Sequence, residues 1–287
     1  MTPPNNKRFL FIHIMKTGGT SFADILKINF PDKIRYPNAC FDTDTDYARR
    51  IQSYTDVPAF VQDVNSLGSK LRVASAHVPY AVRSLLHDHY ETITILRHPV
   101  DRTLSYLKHC RQYHKEHENF ALEEIYEKAW FKHTFIQNYQ TKIFSMSAAE
   151  AMEKIRFADN APPIPSLQDL TTRESLSAEV IEFEKLNPAR FTLESFVPST
   201  GVITVDRNRL DTAKRNLTKV ELVGVTETYD QFLCQLRDRY SWEIQSMPKR
   251  NVGVTQKVSD EFESRIAEDN WADIELYDFA RSLAAGY

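Results

Sequence analysis

A chain of 287 residues with a formal net charge of −3, 42% hydrophobic and 26% charged residues fits one large or two small globular domains and excludes a disordered or fibrous polymer. The weakly negative balance gives no global attraction to nucleic acid or to an anionic membrane, so any polyanion must be held by a local basic patch. Cys40, Cys110 and Cys234 are far apart and outside any C-x-x-C spacing, which indicates neither a disulfide framework nor a zinc site and points to a reducing cytoplasm.

The first eight residues are polar, and the apolar run Phe9-Leu10-Phe11-Ile12 meets His13 and Lys16 too soon for the core of a secretion leader. No run approaches the roughly 20 apolar residues of a membrane span. A cytoplasmic chain without a membrane anchor is expected. Strand and helix patterns then alternate. Phe9 to Ile14 reads as a buried strand, and Ser21 to Phe30 as a short helix with Phe22, Ile25, Leu26 and Phe30 on one face. Leu71 to Ala76 and Thr92 to Leu96 read as further strands, and Pro99 opens a helix that runs to about His114. Over residues 145–199 the pattern weakens around Ala161-Pro162-Pro163-Ile164-Pro165, as in a substrate-facing insertion and not a second domain. Ile203 to Val205 and Glu221 to Val225 supply two more strands. From Ser259 to Leu283 the spacing of Phe262, Ile266, Ile274 and Tyr277 predicts one packing helix, with Ser259 as N-cap and Glu261 to Glu263 in the first turn. Strands separated by helices predict a single α/β domain over residues 1–287. Its core is a P-loop-like parallel sheet with helices on both faces, and ligands sit beyond the strands' carboxyl ends.

The first strand leads into His13-Ile14-Met15-Lys16-Thr17-Gly18-Gly19-Thr20-Ser21. Adjacent glycines let the backbone turn sharply and approach phosphate oxygens. The N–H groups of a helix start are unpaired and lie at the positive end of the helix dipole, so they favour an anion. Thr20 and Ser21 can cap the helix and donate hydroxyls. Lys16 precedes the glycines, whereas G-x-x-x-x-G-K-[ST] places its lysine after them, so this is not an ordinary ATP loop.

The segment resembles the 5′-phosphosulfate-binding loop of the carbohydrate sulfotransferases that use 3′-phosphoadenosine 5′-phosphosulfate (PAPS). The likeness is greatest to the uronosyl and heparan sulfate 2-O-sulfotransferase-like branch, as a soluble bacterial-type member. Met15 stands where that family usually has proline, which would stiffen the loop entrance. The resemblance implies PAPS as co-substrate, its desulfated form PAP as product, no metal, and Lys16, Thr17, Gly18, Gly19, Thr20 and Ser21 as donor-binding residues.

A second segment, Ile93-Thr94-Ile95-Leu96-Arg97-His98-Pro99, ends a strand in arginine, and Ser105 follows eight positions later on the helix. The forked guanidinium suits phosphate. This resembles the family's 3′-phosphate-binding segment, which gives Arg97 and Ser105 that role. Arg102 and Lys108 read as solvated helix charges. Pro248-Lys249-Arg250-Asn251-Val252-Gly253-Val254 resembles the family's late loop over the nucleotide, which adds Lys249 and Arg250 to the donor-binding set.

Sulfuryl transfer needs an acceptor hydroxyl deprotonated as it attacks sulfur, and charge compensated on the departing phosphate. Histidine, titrating near neutrality, is the natural base. His77 follows a predicted strand in Ser75-Ala76-His77-Val78-Pro79-Tyr80, and the piece resembles the family's H-V-x-Y segment, which implies His77 as general base and Lys16 as the compensating charge. His13, inside the predicted strand, reads as structural, and His109, His114 and His117 as helix-surface residues. Leu222 to Tyr229 and Asn270 to Tyr277 resemble further family segments and read as architectural, while Phe135 to Thr141 reads as lining an acceptor site. The family likeness implies a hydroxyl-bearing acceptor and favours a sugar hydroxyl, in a glycan or glycosylated metabolite, with lipid-linked glycans, small metabolites and tyrosine left open; the net charge of −3 points away from nucleic acid. Two other readings stay open: a P-loop nucleotide kinase or NTPase with Val205-Asp206 as its Walker B aspartate, and a catalytically inactive sulfotransferase-like binding protein.

Overall fold

The run Phe9-Leu10-Phe11-Ile12 is apolar at every position, the pattern of a strand covered on both faces. In the computed structural model, which describes residues 7–36, 57–113, 119–128, 132–153, 155–156, 196–197, 200, 203–244 and 258–286, it forms β1 (Phe9–Ile12) at the centre of a five-stranded sheet. The other strands are β2 (Arg35–Tyr36), β3 (Val73–Ala76), β4 (Glu91–Leu96) and β7 (Leu222–Val225), in the order β2-β3-β1-β4-β7. Every pairing in this sheet is parallel, with Ile12 opposite both Ala76 and Thr94 and with Leu96 opposite Val225. Because β3 and β4 flank β1 on opposite sides, the topological switch point lies at β1, and a crevice at the strands' carboxyl ends follows from it.

Alternation along β1 divides the core in two. Phe9 and Phe11 join Val73, Ile93, Ile95 and Leu222 beneath α1 (Gly19–Asn29), whose Phe22, Ile25 and Leu26 face them, with Phe232, Leu236 and Trp242 alongside. Leu10 and Ile12 face the other way, towards α2 (Val57–Leu67), α3 (Pro99–Tyr113) and several later helices. These are α4 (Leu122–Tyr126), α5 (Tyr139–Ser145), α6 (Ala148–Met152), α7 (Arg207–Leu217), α9 (Asp260–Asp269) and α10 (Trp271–Ala285), whereas α8 (Tyr229–Tyr240), which carries Phe232 and Leu236, packs on the α1 side. The protein is thus an α/β fold on one parallel sheet with helices on both faces, as the sequence predicts.

Three local expectations change. The first strand stops at Ile12: the His13 N–H still donates to the Ala76 carbonyl at 3.0 Å, after which the Thr17 hydroxyl donates to the Ile14 carbonyl at 2.9 Å within the turn. Ile203 to Val205 is not a strand: it is a lead-in with a buried Ile203, ending in Asp206, whose carboxylate caps α7 by accepting from the Arg209 amide at 2.8 Å. The tail is two helices. Ser259 caps α9 as expected, but the Asn270 amide donates to the Ile266 carbonyl at 2.8 Å and accepts from the Asn138 backbone at 2.9 Å, so the chain breaks there and restarts as α10. The two-residue edge strand β2 is too short to give a periodic signal in the sequence.

Within residues 145–199, β5 (Ile155–Arg156) pairs antiparallel with β6 (Phe196–Val197), which brings together the two ends of the stretch 157–195. The proline loop at 161–165 lies outside the described residues. No helix among the described residues is long and apolar enough to cross a membrane.

Gly224 lies on the β7 face that meets α8, where an added Cβ would sit 2.5 Å from the Phe232 ring, itself buried against Phe22. Gly224→Ala is expected to lower stability by about 1–3 kcal/mol through overpacking, read as a reduced midpoint in urea unfolding.

Candidate functional site

The site starts from the turn between β1 and α1. Lys16 (φ 68°) and Gly18 (φ 86°) both adopt left-handed backbone conformations, which glycine tolerates and which costs a side-chain-bearing residue about 1–2 kcal/mol. Two hydrogen bonds hold the strained turn: Thr17 to the Ile14 carbonyl, and the Arg97 guanidinium to the Lys16 carbonyl at 3.3 Å. Gly18 is the N-cap of α1 and has no side chain to cover the helix start, and the first turn carries no acidic residue. The positive end of the helix is therefore uncompensated by its own sequence. Thr17 is fully buried with its hydroxyl proton committed, so only its backbone N–H is left for a ligand; Thr20 is exposed and Ser21 half-buried. Neither of the last two is the cap that the sequence suggested.

Gly19 has a steric role. A Cβ there would lie 1.6 Å from Nε2 of His13, whose ring sits under the first residue of α1. His13 follows the end of β1, half-buried, and stacks between Phe11 (centroids 5.2 Å apart) and His77 (4.2 Å). Sequence reasoning placed it inside the strand as a structural residue; the early end of the ladder puts it at the site instead. Its imidazole is held well below the usual pKa, first by burial and then by the neighbouring His77 and Lys16.

His77 leaves the carboxyl end of β3 beside β1. Its Nδ1 lies 2.6 Å from the His13 carbonyl, an oxygen that can only accept, so Nδ1 carries the proton and Nε2 keeps its lone pair. Burial pushes its pKa down to about 4, against a weaker upward pull from that hydrogen bond. The ring is thus neutral at physiological pH, in the tautomer a general base requires.

Arg97 and His98 form the short link between β4 and α3. Burial lowers the Lys16 pKa from its ordinary value, with the Cys110 thiol opposing the shift and Arg97 adding to it. Two cations thus share one edge of the sheet, an arrangement that an incoming anion relieves. Ser105 is half-buried in the second turn of α3. Arg102 corrects the expectation of a solvated charge. It is fully buried, donates from Nη2 to the Phe135 and Ile136 carbonyls at 2.7 and 3.2 Å, and lies over the Tyr139 ring. Phe135 to Thr141, expected to line an acceptor site, is nearly all buried. Its Gln140 bonds both backbone groups of Arg97, a contact that no pattern in the sequence signals.

The structure therefore brings Lys16 to Ser21, His77 and Arg97 to one edge. Lys249, Arg250, His114 and His117 lie outside the described residues. Thr226 and Tyr229, at the carboxyl end of β7, flank Gly18, with side-chain atoms 3.9 and 3.7 Å from where its Cβ would stand. Their hydroxyls are buried and lack hydrogen-bond partners among the described residues. The strand-end rule that selected His77 also selects Thr226. Asp206, as the cap of α7 away from any strand end, does not supply the aspartate that a Walker-type NTPase requires.

The family model for the sulfotransferase domain matches residues 7–159, more than half of the chain. The chain belongs to the sulfotransferase domain family. The matched stretch of this sulfotransferase carries the β1–α1 turn, His77, Arg97 and Ser105, and sulfuryl transfer is its general chemistry. A comparison with curated proteins gives no match.

Because the His13 ring is confined between Phe11 and His77, Gly19→Ala is expected to displace it, and His77 with it. Turnover should fall by at least about tenfold, the scale at which misplaced catalytic groups act, while the circular dichroism spectrum stays that of the parent chain.

Proposed function

We propose that this sulfotransferase moves the sulfuryl group of PAPS to an acceptor hydroxyl, a carbohydrate hydroxyl above all, as in the uronosyl 2-O-sulfotransferase-like branch. The observation that carries the reading is the meeting of Lys16, Arg97 and His77 at adjacent parallel strand ends, tied by the bonds from Arg97 to the Lys16 carbonyl and from His77 to the His13 carbonyl.

In this scheme the start of α1, with the backbone from Thr17 to Ser21 and the Lys16 ammonium, receives the 5′-phosphosulfate. Arg97, and Ser105 two turns into α3, receive the 3′-phosphate. Lys249 and Arg250 close over the nucleotide. Nε2 of His77 takes the acceptor's proton as its oxygen attacks sulfur in line. The bond between sulfur and the bridging oxygen breaks, and the electron pair passes to the 5′-phosphate of departing PAP. Lys16 and the helix N–H groups, fixed before the reaction, balance that charge without reorganising. Residues 1–287 act as one sulfotransferase domain in the cytoplasm, and the stretch 145–199 meets the acceptor. The convergence of its ends at β5 and β6 supports treating it as an excursion from one fold.

The test is calorimetry with PAP in the presence of EDTA. The parent chain is expected to bind, and Lys16→Ala and Arg97→Ala each to weaken binding at least about tenfold, the loss of a charge-assisted contact. Absence of parental binding overturns the proposal. His77→Ala is expected to lower kcat by about 100-fold or more with PAP affinity kept, and unchanged turnover on hydroxyl acceptors would remove the base assignment.

A depressed pKa favours the neutral base, so activity is kept above that pKa and lost below it. With His77 near 4, the acid limb of kcat/KM for PAPS, which reports the free enzyme, should fall near pH 4 and not at the ordinary histidine value of about 6.5.

A further inference from the structure

Arg97 sits where two hydrogen-bonding systems end. The ladder between β4 and β7 stops at Leu96 opposite Val225, and the first intrahelical bond of α3 is accepted by the His98 carbonyl, from the Arg102 amide. The N–H and C=O of Arg97 therefore belong to neither the sheet nor the helix. Both are met by one side chain. Gln140, fully buried, accepts from the Arg97 N–H at 3.1 Å through Oε1 and donates to the Arg97 carbonyl at 2.9 Å through Nε2. A primary amide holds a donor and an acceptor in one plane, and no carboxylate, hydroxyl or apolar side chain can do the same. The two partners also fix which atom of the amide is which.

Gln140 is itself held. It lies in the first turn of α5, whose free N–H groups are capped across the fold by Asp273 of α10: one carboxylate oxygen accepts from Gln140 at 3.0 Å, the other from Thr141 at 2.7 Å. Asn138 returns the favour by accepting from the Ala272 and Asp273 amides at 3.0 and 3.2 Å. On the far side of the link, Glu227 accepts from the His98 amide at 3.2 Å. A continuous line of hydrogen bonds thus runs from α10 through Gln140 to the Arg97 backbone, and on through the guanidinium to the Lys16 carbonyl.

We infer that Gln140 is a positioning residue for recognition of the nucleotide's 3′-phosphate: it fixes the backbone from which the Arg97 guanidinium reaches both the Lys16 turn and that phosphate. The inference deepens the proposed PAPS site and rests on that reading. Gln140 touches no reacting atom, so its removal should reach the ligand only through Arg97. The 3′-phosphate should lose affinity, while a nucleotide without that group should not register the change.

The experiment compares calorimetric affinities of PAP and adenosine 5′-monophosphate, which lacks the 3′-phosphate, for the full chain, Arg97→Ala, Gln140→Leu and Gln140→Glu. The parent chain should prefer PAP, and Arg97→Ala should abolish most of that preference. Gln140→Leu should weaken PAP about tenfold and the monophosphate less than about twofold, the scale at which a lost supporting contact degrades a site. Gln140→Glu fills the same space and keeps the acceptor for the Arg97 N–H but faces the Arg97 carbonyl with a second oxygen, so it should show the same selective loss even if the leucine variant does not fold. Retention of the parental preference by either folded variant, or equal losses for both nucleotides, overturns the inference, as does a failure of both variants to fold, which would assign Gln140 to stability alone. A parent chain that binds no PAP defeats the underlying site reading instead.

Discussion

The hydrogen bond from the Arg97 guanidinium to the Lys16 carbonyl joins the two halves of the candidate site. It ties the end of β4 to the turn after β1 and brings two cations close, where burial first and then the Arg97 charge lower the Lys16 pKa. It also restrains Lys16 in a left-handed conformation that the residue does not prefer. Repulsion and strain of this kind persist only when surrounding structure over-determines them, and here it does. Thr17 ties the turn to Ile14, Gln140 holds the Arg97 backbone, and the sheet register sets the height of both strands. For the phosphate site proposed above, this means donors already oriented and little left to reorganise on binding.

The support behind this edge comes from the end of the chain. Asn138 and Asp273 cap each other's helices, so α5 and α10 start from one shared knot of buried polar groups. Asn138 takes a left-handed conformation there, which asparagine tolerates better than most residues. Arg102 reaches into the same region and satisfies carbonyls of the preceding turn. Buried polar networks specify one arrangement strongly when their partners are in place, and this one sets the distance between α5 and β4. The matched part of the family ends at residue 159, yet Asp273, which anchors Gln140, lies far beyond it.

The two histidines illustrate how burial and a single backbone oxygen select a protonation state. The His13 carbonyl fixes the His77 tautomer, while the His13 ring, wedged beneath Gly19, fixes the plane against which His77 packs. The paired glycines thus serve two separate needs. Gly18 provides the left-handed turn, and Gly19 provides the space that lets a ring pass under the helix.

The sequence by itself determined the alternation of strands and helices, the parallel α/β class, and the strand-end positions of Lys16, His77 and Arg97. These follow from local periodicity and from the rule that such sheets present ligand residues at their carboxyl ends. It could not show that Ile203 to Val205 stays out of the sheet, because so short a β-branched run forms a strand only if a neighbour pairs with it, and here Asp206 commits the chain to a helix cap. Nor could it show the break at Asn270, which rests on a partner 132 positions away. Arg102 looked like a surface charge because burial of a cation is decided by carbonyls from another segment. The places of His13 and Gln140 are hidden from the sequence for the same reason. Their roles depend on contacts across the fold, between elements whose meeting no local pattern encodes, and only the tertiary structure put them beside His77 and Arg97.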